Sequence, residues 1–558
     1  MLRELKEGTL SFLSDKVYLK RWEVAKYFLI SALMFSPALL SFFNHIENEY
    51  YTRSDNLLSF VAFTSLAFTV MVVFNTPRKW TIPFLLAAIA CDAYHIVFGK
   101  PIGFQTMAAM YETNSHEMMG FLLSPVSVPI ILGGAAGAGA MIWYVVRDKP
   151  VWRLTGETRV KRSYLVVLTI LAFALFIFEG KTILFTYPLD VFQTNYRYAK
   201  EANTRDDYLK NTYEIPGECS ARLDKRPPEI SMLIIGEAAR RSSQHAYGYR
   251  LETTPQLDSF IAENPAKVVL FQNAISGSAY TRGSVPTLLS TFDLKEIDKL
   301  YQRPTLTKMF RGAGFATLYV TTRPKYLFPN IVSTFQDDAE EIRYLSRVGH
   351  KAYDMDTLSV MEDFLKRNKG RKRFAILHLM GSHIKYSMQY PKNEAFFHSG
   401  DKMLDSYNDT IRYSDKVLMG AVRLVMAADN PGFVLYASDH GENLDDFGDG
   451  NYGHGTRGFT HFEFEIPFEV FFNDAFLKLY PEKVALIRKR ASLPICQDNI
   501  SHTFLGLSGL TDHKYYNPAE DLSSAKFKTR KRFVIDENMN VYDYDELNLD
   551  AKKAKRRR

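Results

Sequence analysis

Five apolar stretches in the first third of the chain, at roughly 24–43, 57–74, 82–98, 126–146 and 163–179, set the strongest limit on how this sequence can fold. A helix needs ~20 predominantly apolar residues to cross a bilayer, so each stretch approaches spanning length. Three are slightly short or carry a polar residue: Lys26, Asp92 or His95. The flanking charges alternate. Arg3, Lys6, Lys16, Lys20 and Arg21 precede the first stretch, Arg78 and Lys79 follow the second, and Arg147, Lys149, Arg153, Arg159, Lys161 and Arg162 separate the fourth from the fifth. Between the first and second there is only Arg53, and between the third and fourth only Lys100. The positive-inside rule then puts the N-terminus inside and everything after residue 180 outside. The first apolar run is too long for a removed signal peptide and reads as an anchor.

After residue 180 the composition changes to the mixed charged and apolar character of a soluble domain, so the mean hydropathy of −0.17 averages over two solvents. The chain of 558 residues therefore divides into a membrane part, 1–180, a connector, 181–228, a soluble domain, 229–550, and a basic tail, 551–558. The connector is polar and aromatic, with Tyr187, Phe192, Tyr196 and Tyr198, and ends in Pro227-Pro228, as an interfacial segment would. Of three cysteines, Cys91 falls in an apolar stretch, which excludes a disulfide-dense scaffold and leaves Cys219 and Cys496 as one conceivable pair. The formal charge of +7 owes much to the inward-facing loops and the tail, which is either solvated or apposed to lipid phosphates and anionic saccharide. No nucleic-acid partner is expected, and the chain is expected to act as a monomer.

Within the soluble domain, short apolar runs near 231–237, 268–276, 316–322, 374–383, 433–442 and 466–472 alternate with longer amphipathic segments. That pattern predicts a mainly parallel sheet covered on both faces. Sites in such folds lie beyond the carboxyl ends of the strands. Glu237, His383, Asp439 and His440 all fall at such ends.

In SDHGE, Asp439 and His440 follow a buried strand, and carboxylate plus imidazole is a zinc-binding mixture. The structural alternative is a capping Asp and a helix-start His. Glu237 is either a further ligand or a solvated rim residue. Thr281, in GSAYTRGSVPTLLS, precedes an apolar helix-like run, where it is either an N-cap or a nucleophile. A hydroxyl needs a base or a metal to become a good nucleophile at neutral pH, and a zinc ion at the same point would serve.

In the order GE(A/S)xR…YGYxxxTTPxLD, TxxSVPxLLS, HLxGSHxxYxxxYP and SDHGE, these segments resemble the lipopolysaccharide phosphoethanolamine transferases, membrane-anchored members of the alkaline phosphatase and sulfatase superfamily. The resemblance runs the full length, and HLMGSHIKYSMQYP is most similar to the branch that decorates the heptose core. It implies a five-span α-helical membrane domain in a bacterial inner membrane, followed by a periplasmic α/β domain. It also implies that Glu237, Thr281, Asp439 and His440 bind zinc, with Thr281 as the covalent nucleophile. By the same resemblance His383 and His454 bind phosphoryl oxygens or a second zinc, with His378 and His461 as weaker candidates. In the outward loop YETNSHE, Thr113 and Glu117 lie four apart on one helical face and are implied to contact the donor, Glu117 by holding the ethanolamine ammonium. Ala109 departs from the family pattern, which has an asparagine there.

The implied reaction moves phosphoethanolamine from phosphatidylethanolamine, through phosphorylated Thr281, to a lipopolysaccharide acceptor, either core heptose or lipid A. A sulfatase activity is disfavoured because Thr281-Arg282-Gly283-Ser284-Val285 lacks the Cys/Ser-x-Pro-x-Arg context of an aldehyde-forming residue. A phosphoglycerol transferase acting on an envelope glycan, and a non-catalytic envelope scaffold, remain the other readings of the same chain.

Overall fold

The computed structural model of the chain describes residues 16–19, 21–43, 53–73, 78–98, 102–112, 127–147, 158–161, some positions within 164–174, 190–210, 227–323, 331–336, 338–346, 351–448, 452–455, 459–512, 514–536, 538–547 and 549. Two compact units result: residues 1–107 with 115–199, and residues 108–114 with 200–558.

The first unit is helical, with helices Arg21–Met34, Ser36–Phe43, Arg53–Val73, Ile82–Phe98 and Ser127–Arg147. Pro37 cannot continue the helix that precedes it. Ala25–Met34 and Ser36–Phe43 therefore meet at a 66° bend, and only together have the length and apolarity of a span. The second and third predicted spans correspond to the shorter apolar helices Asn56–Val72 and Ile82–Ile96. Among the described residues no single helix is long and apolar enough to cross a membrane. The predicted span 163–179 lies largely outside the described residues, as do Cys219 and the basic tail. Asp92, an expected polar interruption, accepts a 2.5 Å hydrogen bond from Ser36.

The second unit is built on a seven-stranded sheet. We number its strands β1 (Ile230–Gly236), β2 (Val268–Leu270), β3 (Ala316–Thr321), β4 (Glu341–Tyr344), β5 (Arg373–His378), β6 (Gly432–Ser438) and β7 (Phe468–Phe472). Their spatial order is β2-β7-β6-β1-β5-β3-β4. The five strands from β6 to β4 run parallel, while β7 is antiparallel to both β6 and β2.

Alternate residues of a strand face opposite sides of a sheet, and β1 shows why its run is apolar throughout. Leu233 and Ile235 enter one core with Phe310, Phe374 and Phe504, whereas Ile230, Met232 and Ile234 enter the other with Met361, Phe364 and Val422. Helices Thr281–Leu289, Leu306–Gly312 and Asp498–Ser508 supply side chains to the first core. Helices Pro255–Glu263, Asp356–Arg367 and Lys402–Met426 supply the second. On the first face Phe310 stacks on Phe374 with ring centroids 4.1 Å apart, and Phe504 packs 5.3 Å from Phe374.

One core position breaks the apolar pattern. Glu469, mid-strand in β7 opposite Tyr436 of β6, is fully buried and neither carboxyl oxygen has a hydrogen-bond partner among the described residues. Burial, reinforced by Asp415, pushes its carboxyl well above the ordinary range. The folded state therefore holds this proton to higher pH than the unfolded chain, and the stability associated with it is lost as pH rises above the unfolded value of about 4.3. Replacing Glu469 with Met should stabilise the protein by about 1–3 kcal/mol near pH 8, since an unpaired polar group leaves the core. The gain should shrink toward pH 5; parallel denaturant titrations of wild type and Glu469→Met at the two pH values measure it.

Candidate active site

The parallel register brings the strand-end residues together. Gly236 of β1 pairs with Ser438 of β6, so Glu237 and Asp439 leave neighbouring strands at the same level. A turn after β1 then folds back on Asp439. Its Oδ1 accepts hydrogen bonds from the backbone N–H groups of Ala238, at 3.0 Å, and His440, at 2.7 Å. Its Oδ2 is buried and has no hydrogen-bond partner among the described residues.

Two motif glycines are explained by the same crowding. A Cβ on Gly381 of the GSH segment would lie 2.9 Å from the backbone N and O of Glu237, and its φ of +47° suits glycine. A Cβ on Gly441 of SDHGE would come within 2.1 Å of the Phe462 carbonyl oxygen.

Thr281 is the first residue of helix Thr281–Leu289; Tyr280 occupies the cap position, so Thr281 is not the N-cap. Its Oγ1 lies 3.4 and 3.3 Å from the two carboxylate oxygens of Glu237 and 3.4 Å from His440 Nε2. His440 Nε2 is in turn 3.6 Å from Glu237 Oε1 and 3.5 Å from Asp439 Oδ2. His440 Nδ1 donates to the Gly441 carbonyl at 2.8 Å, which turns Nε2 toward this cluster. His440 Nε2 thus lies 3.4–3.6 Å from donor atoms of Thr281, Glu237 and Asp439, and Thr281 Oγ1 lies 3.3–3.4 Å from the Glu237 oxygens. Ligands at the corners of a tetrahedron with bonds of about 2.0–2.1 Å lie about 3.3–3.4 Å apart. The oxygen and nitrogen donor set and the orphaned Asp439 Oδ2 both fit a zinc ion.

Charge around the cluster is arranged asymmetrically. Burial opposes ionisation of Glu237, but the Arg323 guanidinium pairs with its Oε2 and, with His440, His383 and His454 nearby, holds the carboxyl far below the usual range. Asp439 is pushed the other way by burial and by the charge on Glu237. A bound cation would invert that balance. Burial and the neighbouring His454 hold His440 down to about 4, so its imidazole is neutral and able to ligate at neutral pH.

A second group lies alongside. His454 Nδ1 is 2.8 Å from Glu442 Oε2, Tyr386 donates to Glu442 Oε1 at 2.7 Å, and the rings of His440 and His454 are 4.1 Å apart. His440, Glu442 and His454 form a further set able to hold a metal ion. His383 is half-buried, with Nδ1 2.6 Å from the Ile384 carbonyl. His378 ends β5 inside the core, its Nδ1 2.6 Å from the Tyr319 hydroxyl, and burial with the nearby Arg323 lowers it to about 3. The His461 ring lies tilted against Phe462, with centroids 3.8 Å apart. None of these three joins either ligand set among the described residues. Thr113 and Glu117 lie outside the described residues.

Three contributors were not foreseen from the sequence: Arg323, Glu442 and Tyr386. Arg323 follows β3 just as Glu237 follows β1, so the strand-end rule could have found it, and Glu442 lies inside SDHGE itself. Next to Thr281, the buried Arg282 pairs with Glu201 at 2.5 Å, and Tyr301 donates to the same carboxylate at 2.7 Å. Glu201 belongs to helix Asp190–Lys210.

Comparison with known proteins places this geometry. The Sulfatase family model matches residues 231–510. Phosphoethanolamine transferase EptC of Escherichia coli strain K12 is 25% identical over 504 residues, covering 83% of this chain and 85% of that protein. Among solved structures, the integral membrane protein lipooligosaccharide phosphoethanolamine transferase A of Neisseria meningitidis matches with a TM-score of 0.66 at 19% identity, over 90% of this chain and 98% of that one. The C-terminal periplasmic domain of EptC from Escherichia coli, solved in complex with Zn, matches with a TM-score of 0.54 at 24% identity, over 61% of this chain and 99% of that one. With a mainly parallel sheet, strand-end carboxylates and a family match across half its length, the chain belongs to the sulfatase family, and its relatives include phosphoethanolamine transferases.

Proposed function

We propose that this protein transfers phosphoethanolamine from phosphatidylethanolamine to a lipopolysaccharide acceptor, core heptose or lipid A, with Thr281 as nucleophile. The observation that carries the reading is the Thr281 hydroxyl within 3.4 Å of both a buried carboxylate, Glu237, and a buried neutral imidazole, His440. Glu237, Thr281, Asp439 and His440 are the residues that hold zinc, which when bound supplies Lewis-acid charge favouring ionisation of the Thr281 hydroxyl.

In the first half-reaction Thr281 Oγ1 bonds to phosphorus, the bond to the diacylglycerol oxygen breaks, and that oxygen leaves with a proton. In the second, an acceptor hydroxyl or phosphate oxygen bonds to phosphorus, the bond from phosphorus to Thr281 Oγ1 breaks, and Oγ1 takes up a proton, the one a hydroxyl acceptor gives up. His454, held by Glu442, binds the phosphoryl oxygens or moves the proton, and His383, close enough to act on Glu237 and Glu442, assists at the same rim. Glu117 and Thr113 are assigned to the donor headgroup, Glu117 to its ammonium. Residues 1–180 act as a five-span inner-membrane anchor, and 229–550 as the periplasmic catalytic domain of a monomer. An anchor has a physical purpose here, because a lipid donor leaves the bilayer only at large hydrophobic cost.

Zinc bound only by the folded state should raise its stability by about 2.7 kcal/mol at a free concentration 100-fold above Kd. Adding zinc to chelator-treated, purified full-length protein should therefore raise Tm, and Asp439→Asn or His440→Ala should abolish the rise. A wild type whose Tm ignores zinc would refute the ligand assignment. For the reaction, mass spectrometry of envelope glycolipids from expressing cells should reveal a phosphoethanolamine increment on lipopolysaccharide with wild type and none with Thr281→Ala. Equal increments from both would remove Thr281 from the mechanism, and an increment of a different headgroup would reassign the donor.

A further inference from the structure

The chain following His383 carries a surface that the proposed reaction does not use. Among the described residues from 200 onward, the exposed large apolar side chains are Ile384, Met388, Phe396 and Met403, at 49, 36, 51 and 38% exposure. All fall between positions 384 and 403. Isolated exposed apolar residues are ordinary, whereas four confined to one twenty-residue segment set it apart from the rest of the unit.

The segment is held in shape. Phe396 and Phe397 donate their backbone N–H groups to Asp409, at 2.9 and 3.0 Å, and Tyr390 donates its hydroxyl to the same carboxylate. Ser399 and Gly400 donate to Asp405. The apolar side chains are therefore exposed on a pinned loop.

Its charges are sorted. The acidic side chains are taken up by partners within the fold: Glu394 pairs with Lys416, the exposed Asp401 caps helix Lys402–Met426 by accepting from Met403 and Leu404, and the buried Asp405 and Asp409 accept as above. Lys392 and Lys402 are exposed and Lys385 is half-buried, and no carboxylate pairs with any of the three among the described residues. Outward-facing lysines beside exposed Phe, Ile and Met side chains have the composition of a bilayer interface: apolar groups enter the headgroup boundary while the ammonium groups meet lipid phosphates.

The surface begins at the active-site edge. Ile384 directly follows His383, its Cδ1 lies 4.0 Å from where a Cβ on Gly453 would stand, and Gly453 precedes His454. We infer that residues 384–403 form a lipid-contacting lip, which seats the active-site rim on an anionic bilayer surface. The inference rests on the membrane-anchored reading above only in requiring that a bilayer be present.

The test uses the full-length protein carrying Cys219→Ser, in which the remaining Cys91 and Cys496 are buried. Ile384→Cys, Phe396→Cys and, as a control, Lys369→Cys on the exposed turn before β5 are each labelled with an environment-sensitive fluorophore. The proteins are placed in phosphatidylglycerol-containing nanodiscs with or without doxyl-labelled lipid. At 384 and 396 the emission should shift to the blue and be quenched at least twofold more than at 369. Charge reversal of Lys385, Lys392 and Lys402 together should reduce that quenching. Labels at 384 and 396 that behave like the one at 369, or that shift to the blue without lipid quenching as in a contact with a second copy, would overturn the lip. Protein that fails to enter nanodiscs refutes the membrane anchor and the lip with it, whereas incorporation without quenching refutes the lip alone.

Discussion

Two buried carboxyl groups, Glu237 and Asp439, stand side by side on adjacent parallel strands, and the rest of the site answers the electrostatic problem they create. Like charges at such a distance in a dry interior disfavour double ionisation. Arg323 settles one of the two by pairing with Glu237. Asp439 satisfies one oxygen with two backbone N–H groups and leaves the other directed at the same point as His440 and Thr281. With one guanidinium for two carboxyl groups, the site favours a further cation, which would stabilise the ionised form of Asp439.

The scaffold holds this arrangement in place by register and by crowding. The pairing of Gly236 with Ser438 sets the level of both carboxylates, and both faces of the sheet are filled by aromatic and aliphatic side chains that leave little room for slippage. Gly381 and Gly441 let two loops come close enough to enclose the strand ends. Glu442 extends the same order outward by binding Tyr386 and His454 together, so a histidine from a separate loop is oriented from the segment after β6 that also carries His440.

Much of this was legible in the sequence because parallel strands buried on both faces are written as continuous apolar runs. Five of those runs coincide with strands of the sheet along half or more of their length, and the strand-end rule drew attention to Glu237, Asp439 and His440, and to His383, which joins no ligand set among the described residues. What escaped follows from the same physics. Strand β4, Glu-Ile-Arg-Tyr, is an edge strand with partly exposed side chains, so it carries no apolar signature. Run 268–276 shortens to the three residues of β2, because the chain turns away after Leu270. The reversed direction of β7 depends on the connection that precedes it, which periodicity does not encode. Arg323 was missed because a basic residue after a strand is ordinarily solvated, and only the buried Glu237 opposite gives it a purpose. His378 had a motif's company, but its place as the last residue of β5 puts it in the core beside Tyr319.

The ion pair between Arg282 and Glu201 ties the residue beside Thr281 to helix Asp190–Lys210. A boundary at 229, drawn where the apolar runs start, would remove Glu201 and leave the buried guanidinium of Arg282, next to Thr281, without its carboxylate. Breaking a buried ion pair by removing one partner costs about 3–5 kcal/mol. A fragment that retains Glu201 would keep this pair, whereas one cut at 229 would report on Thr281 beside an arginine that has lost its partner.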